Sequence, residues 1–111
     1  MAKRPDLLPG TLDMLILKTL ARAPLHGYGI ARRIEQVSGD LLELNQGTIY
    51  PALLKLEQMR WIKTKWGTSE NNRSAKYYSI TAAGKRQLAQ EEEEWQRTSA
   101  IVTRFLAPSE K

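Results

Sequence analysis

The sequence contains no cysteine and a single histidine among its 111 residues. Without cysteine there is no disulfide, no thiolate metal site and no cysteine nucleophile, and one histidine cannot build a zinc site without several carboxylate partners. The histidine, His26, has no serine or carboxylate cluster paired with it, so we interpret it as a capping or hydrogen-bonding residue. We therefore predict that the protein is not an enzyme and has no catalytic residues, metal site or cofactor.

Long apolar runs are also missing. The longest one in the first half of the chain is Met14 to Leu17, which is far short of the roughly 20 residues needed to span a bilayer. The first six residues lead into no apolar core of the kind that signal peptides carry. These two absences predict a cytoplasmic protein with no membrane segment.

What the chain does have is enough apolar sequence for one core, with 41% hydrophobic and 26% charged residues. A chain of this length has room for one domain, because it buries only about two-thirds of its unfolded surface. Its charge is uneven: residues 1–86 hold 14 basic against 7 acidic side chains, and residues 87–111 hold 3 against 5. The basic part suits a polyanion, although scattered charges that merely solvate a surface produce the same count.

Apolar residues recur at helical spacing through the first half of the sequence. The spacing predicts a first helix over about 11–23, capped by Gly10 or Thr11 and ended by Pro24. A second helix over 27–37 is broken by Ser38-Gly39-Asp40.

A third helix is predicted from a cap at Asn45 to about Met59. Pro51 falls in or just beyond its first turn, at the cost of one hydrogen bond. The apolar stripe of this helix predicts a buried side, and the opposite, polar side is free to contact a partner.

From Trp61 onward the pattern changes to a period of two, which predicts strands. Two alternating stretches, 61–66 and 75–81, flank a polar run and form a β-hairpin with a long tip. Trp61 and Trp66 are expected to pack against the body of the domain. Thr81 can cap a last helix that extends to about Leu106. The predicted fold is mainly α with a small β-hairpin.

Three helices followed by a hairpin is the order of a winged helix-turn-helix, in which the third helix enters the major groove of DNA. The polar side of the third helix fits a major groove, and Arg73 and Lys76 near the hairpin tip fit phosphates or a minor groove. We predict a winged helix-turn-helix DNA-binding domain over residues 1–84. A C-terminal dimerisation helix and tail follow over residues 85–111.

Four segments of the sequence carry a family resemblance. They are Pro9-Gly10-Thr11-Leu12, His26 to Ile30, Gly47 to Glu57 (with Gly-Thr-Ile-Tyr-Pro at its start), and Lys76 to Gly84 (with Lys-Tyr-Tyr). Together they resemble the PadR family of transcription regulators, in its smaller subgroup with a single C-terminal helix. The resemblance covers residues 8 to about 106. One departure is Arg60, where the family usually has a glycine that closes the third helix in a left-handed conformation.

The resemblance implies a cytoplasmic homodimer in which the last helix packs against the first and last helices of the partner. The leading hypothesis is a repressor that binds double-stranded operator DNA, and the two-fold symmetry of a dimer predicts an imperfectly palindromic operator. With the polar surfaces above, the resemblance indicates the DNA-binding residues Tyr28, Gln46, Thr48, Tyr50, Pro51, Lys55, Arg73 and Lys76. The residues indicated for the dimer interface are Leu12, Ile16, Leu88, Trp95, Ile101, Val102, Phe105 and Leu106.

Several alternatives stay open at this point. Tyr28 and Tyr50 can be ordinary core tyrosines. Trp95 either fills the dimer interface or stacks a small, flat aromatic effector, as the resemblance to multidrug-binding relatives implies. A different function for the whole chain is a helical protein-interaction module that dimerises through residues 85–106 without specific DNA binding.

Overall fold

The computed structural model describes residues 10–108. In chain order its elements are helix α1 (Thr11–Leu20), strand β1 (Leu25–His26), helices α2 (Gly27–Val37) and α3 (Gln46–Gln58), strands β2 (Ile62–Thr68) and β3 (Ser74–Ile80), and helix α4 (Ala82–Leu106). Helices thus dominate a fold with one small antiparallel sheet in residues 10–108, as predicted. The motif residue Pro9 and the outer domain limits at residues 1 and 111 lie outside the described residues.

Three of the helices begin where the sequence predicts, because a side chain caps each of them. The ring nitrogen Nδ1 of His26 accepts a hydrogen bond from the Gly29 amide (2.9 Å), which confirms its structural interpretation. Asn45 caps α3 through the Thr48 amide (3.0 Å), and Thr81 caps α4 in the same way. Helix α1 starts after Gly10, which has a φ of 86° and makes no side-chain cap. It ends at Leu20, three residues before the predicted end.

The end of α3 is closed by Arg60, whose φ is 64°. The Arg60 amide donates to the Glu57 carbonyl (2.9 Å) and the Trp61 amide to the Leu56 carbonyl (3.1 Å), which is the pattern of a Schellman motif. The left-handed conformation expected at this position is therefore present, although the residue is not glycine. Pro51 lies inside the helix in its second turn, just beyond the first turn as expected.

The hairpin pairs β2 with β3 from Ile62 opposite Ile80 to Thr68 opposite Ser74. A third strand, β1, pairs with the other edge of β3 and places His26 opposite Tyr77. The sequence did not predict β1, since two residues are too few to show a period. We call β2, β3 and the connecting residues 69–73 the wing.

The core lies where α1, α2, α3, the base of the wing and the first turns of α4 meet. Its most deeply buried side chains are Ile16, Leu17, Ile30, Ile49, Leu53, Leu56 and Ile62. Leu88 anchors α4 to this core, and Gly84 permits the close approach, since a Cβ there would collide with the carbonyl oxygen of Trp61. Farther along, α4 continues with exposed apolar side chains. No helix in residues 10–108 is long and apolar enough to cross a membrane.

Candidate nucleic-acid interface

Helix α3 presents the two-sided surface that its sequence predicts. The Asn45 cap sets where the helix begins, and the buried stripe of Ile49, Leu53 and Leu56 sets its rotation against α1 and α2. The predicted contact residues on this helix are all exposed, namely Gln46, Thr48, Tyr50, Pro51 and Lys55. Because the apolar stripe fixes the rotation, Thr48, Pro51 and Lys55 lie opposite the buried side of the helix, whereas Tyr50 turns toward Gly27 of α2.

A groove of about 890 Å³ opens between the start of α2 and the wing. Its lining includes four of the predicted DNA-binding residues, namely Tyr28, Tyr50, Arg73 and Lys76. They come from three separate parts of the chain, and only the folded structure brings them together. The other four, Gln46, Thr48, Pro51 and Lys55, lie outside the groove on α3. We call the groove and the exposed side of α3 together the DNA face.

The two tyrosines of the groove are held differently. Tyr28 is exposed and its ring stacks near that of His26, with centroids 6.4 Å apart, so its interpretation as a core residue is wrong. Tyr50 is partly covered, because its phenol ring lies over Gly27. Both side chains can donate a hydroxyl hydrogen bond to a phosphate oxygen that enters the groove.

Tyr78 forms part of the groove lining from the centre of the sheet. Burial raises the pKa of Tyr78, and the nearby Tyr50 and Glu57 raise it further. Its phenol therefore stays protonated and neutral at physiological pH. The Lys76 ammonium lies 5.9 Å from the centre of the Tyr78 ring, within the range of a cation–π contact. The groove thus keeps the positive charge of Lys76 beside a neutral aromatic surface.

Lys55 is less free than its position on α3 indicates. Its ammonium forms an ion pair with Asp13 of α1, whose side chain is almost fully buried. Lys55 itself remains more than half exposed. The Asp13 carboxylate orients the Lys55 side chain and offsets part of its positive charge. Lys55 therefore adds less positive charge to the DNA face than a lysine without an acidic partner would.

Trp66 does not pack against the body, and that expectation is wrong. The Trp61 side chain is partly buried and packs against the core, whereas Trp66 is 68% exposed and lines the groove. Ile62 and Trp66 lie on the same face of β2. Ile62, at the base of the wing, is buried in the core, whereas the strands extend beyond the core at Trp66 and leave it exposed. In the sequence, the exposure of Trp66 is indicated by its position next to the polar tip of the hairpin.

Comparison with known proteins identifies the family of this chain. The sequence profile of the transcriptional regulator PadR-like family matches residues 16–90, which include α2, α3 and the wing. The chain belongs to the PadR family. This PadR protein is therefore a DNA-binding transcription regulator and not an enzyme.

Solved structures agree with this assignment. A transcriptional regulator from Clostridium thermocellum is similar at 31% identity and a TM-score of 0.80, over 88% of this chain and 95% of that one. A PadR family transcription regulator from Clostridium difficile is similar at 32% identity and a TM-score of 0.76, over 88% and 100%. An uncharacterized protein of Lysinibacillus sphaericus is 28% identical over 93% of this chain and 94% of its own length.

The residues that the sequence indicates for a dimer interface fall into two groups in this PadR chain. Ile16 and Leu88 are buried in the core of the single chain, so they are not available on its surface, and Leu12 on α1 is half-buried. The exposed group lies on α4 and consists of Trp95, Ile101, Val102, Phe105 and Leu106. We call these five residues the α4 apolar row.

Proposed function

We propose that this PadR protein is a repressor that binds an imperfectly palindromic operator as a homodimer. The observation that carries the proposal is the arrangement of two surfaces on one chain. The DNA face collects the predicted contact residues, and α4 carries the apolar row away from the core. A second copy is the partner that can cover this row while leaving both DNA faces open.

The α4 apolar row supports the homodimer. Phe105 and Leu106 are 85% and 78% exposed, and the other members of the row are about half exposed. Monomeric proteins rarely leave so many large apolar side chains of one helix in water. In a two-fold dimer the same residues serve on both chains, so one row covers its copy. We expect Leu12 on α1, which is half-buried in the single chain, to join this interface.

Two-fold symmetry has a direct consequence for the operator. The two α3 helices of a winged-helix dimer enter successive major grooves, which are about 34 to 36 Å apart on one side of B-DNA. The operator is therefore expected to contain two inverted half-sites, with centres roughly one helical turn apart. A dimer bound in this way covers both half-sites and the DNA between them, and it blocks a promoter that overlaps them.

Three measurements test this proposal. Sedimentation of the full chain is expected to give a dimer. Selection from a pool of random duplexes is expected to return an inverted repeat. Transcription in vitro from the promoter upstream of the protein's own gene is expected to fall when the protein is added. A compact monomer, a site without inverted symmetry, or an increase in transcription would each contradict the corresponding part.

Trp95 supports a second proposal, that the regulator binds a planar, cationic aromatic effector. A surface hollow of about 320 Å³ is lined by Met14, Trp95 and the carboxylates Glu91 and Glu94, with Gly10, Thr11 and Thr98 around them. The Glu91 oxygen Oε1 is buried and has no hydrogen-bond partner among residues 10–108. An indole beside carboxylates suits a flat cation.

The effector proposal is tested with a planar cationic dye. We expect saturable quenching of tryptophan fluorescence and release of operator DNA in the wild type, and loss of both effects in Trp95→Ala. The variant must still sediment as a dimer. If both proteins respond alike, or neither responds, Trp95 only fills the interface.

A further inference from the structure

We propose that Trp66 contacts DNA and packs its indole on the deoxyribose rings of the strand that lies in the groove. This inference rests on the proposed use of the groove by DNA. An exposed tryptophan alone would not carry it, since single apolar side chains are common on protein surfaces. Trp66 lies on the face of the wing that lines the groove, and cationic and hydroxyl side chains surround it there.

The face of the wing that bears Trp66 is the one turned toward α3. Side chains alternate along a strand, so Ile62, Thr64 and Trp66 share one face of β2. Ile62 is buried in the core, and the Thr64 hydroxyl lies 3.5 Å from the Glu57 carboxylate of α3. Trp66 is the next residue in this row, where the core has ended and the groove begins. The indole therefore belongs to the DNA face and not to the back of the wing.

The strand opposite Trp66 supplies a cation at the same level. Trp66 pairs with Lys76 across the hairpin, and side chains of directly opposite residues lie within about 4.5 to 5.5 Å of each other at Cβ. Arg73, Tyr28 and Tyr50 line the same groove, with Glu70 near the tip. An apolar surface thus lies beside cationic and hydroxyl donors within one groove.

Duplex DNA presents a complementary surface along each strand, with charged phosphates separated by apolar faces of deoxyribose. Lys76, Arg73 and the tyrosine hydroxyls match the phosphates, and the indole matches the sugar between them. An indole contact to a sugar carries no charge and needs no base-specific hydrogen bond. Trp66 is therefore expected to raise affinity for operator and random duplexes alike.

The first test compares affinities at several salt concentrations, on a duplex selected by the wild type from a random pool. Trp66→Ala is expected to bind about tenfold more weakly, which corresponds to the low end of what base stacking on an aromatic side chain contributes. Its salt slope should equal that of the wild type, since no cation is lost. Trp66→Phe is expected to regain most of the affinity, and Arg73→Ala serves as the contrast because it should lower the slope.

The second test leaves Trp66 in place. In a variant with Trp61→Phe and Trp95→Phe, the tryptophan fluorescence comes from Trp66 alone. In the matched variant Trp66→Phe, it comes from the other two tryptophans. Saturating duplex is expected to protect Trp66 from acrylamide quenching about twofold or more, because the contact covers an indole that is 68% exposed in the free protein. The tryptophans of the matched variant should keep their quenching unchanged.

The outcomes separate this inference from the proposed function. If the wild type binds duplex with a steep salt dependence but Trp66→Ala binds equally well and Trp66 stays unprotected, the sugar contact is wrong and the repressor proposal stands. A fall in the salt slope of Trp66→Ala would also overturn it, because the residue would then act by placing Lys76. If the wild type binds no duplex, both proposals fail.

Discussion

The phenol ring of Tyr50 on α3 lies directly over the α-carbon of Gly27, the first residue of α2. A Cβ at Gly27 would come within 2.6 Å of the Tyr50 hydroxyl oxygen and 2.7 Å of the ring. The absence of a side chain at Gly27 therefore lets α2 and α3 approach and holds the Tyr50 phenol at the groove. This contact links a glycine of the sequence motif to the position of a predicted DNA-binding residue.

Gly27→Ala is expected to weaken DNA binding to about the same degree as Tyr50→Ala, because the added methyl group displaces the ring. Stability should change by less than about 1 kcal/mol, since the end of a tyrosine side chain can move and alanine favours helix. A double-mutant cycle checks the mechanism: in the Tyr50→Ala background, Gly27→Ala should have no further effect on affinity. Unchanged affinity in Gly27→Ala would remove Tyr50 from the set of DNA-contacting residues.

Lys55 and Arg73 are expected to differ in gel-shift titrations, although both were predicted to contact DNA. Arg73→Ala should weaken binding to operator and random DNA and lower the log–log salt slope by about 0.9. Lys55→Ala should lower the slope by less, because Asp13 already offsets part of its charge. Loss of Lys55 also leaves the Asp13 carboxylate without this partner.

Thermal unfolding provides the control for this pair. Lys55→Ala is expected to lose about 1 kcal/mol of stability or more, because it leaves the nearly buried Asp13 carboxylate without this partner, whereas Arg73→Ala should unfold like the wild type. Equal slopes for the wild type and both variants would contradict the assignment of these cations to phosphates.

Removal of residues 95–111 is expected to convert the dimer into a folded monomer. Removing the whole dimerisation helix predicted over residues 85–111 would also remove Leu88, which is buried in the core of the single chain, so that cut would disturb folding. The later cut removes the whole α4 apolar row and keeps Leu88. Sedimentation measures the result, and Gln96→Glu, at an exposed polar position of the same helix, is the control that should stay dimeric. A dimer of the truncated chain would contradict the proposed interface.

Arg60→Gly is expected to stabilise the protein by about 1 kcal/mol. Arg60 has a φ of 64°, a conformation that costs an L-residue with a side chain roughly 1 to 2 kcal/mol, and the greater freedom of unfolded glycine offsets part of the gain. Thermal unfolding should show a midpoint about 4 °C higher. Arg60→Ala, which keeps a Cβ, is the matched control and should show no gain.

The same variants decide whether Arg60 also contacts phosphate. If it does, Arg60→Gly and Arg60→Ala will both lower the salt slope of DNA binding by about 0.9. If the slope is unchanged in both, the arginine has only a conformational effect at the end of α3.

Features set by neighbours in sequence could be predicted without the structure. His26, Asn45 and Thr81 cap their helices through amides three residues away, so the starts of α2, α3 and α4 follow from short segments. The two strands of the wing follow from a period of two over about six residues, and the apolar stripe of α3 defines its outer side. Short strand β1 has no such signal, because its pairing partner on β3 lies about fifty residues away in the chain.

By itself, therefore, the sequence determined the helices, the wing, the family motifs and the residue types available for contact with DNA. Only the tertiary structure decided which of those residues meet. It placed Tyr28, Tyr50, Arg73 and Lys76 around one groove. Trp66, which was expected to pack against the body of the domain, lines the same groove, and Leu88 is buried in the core. Burial and contact depend on where the body of the domain ends in space. The period of a strand or helix gives the face on which a side chain lies, but not whether another element covers that face.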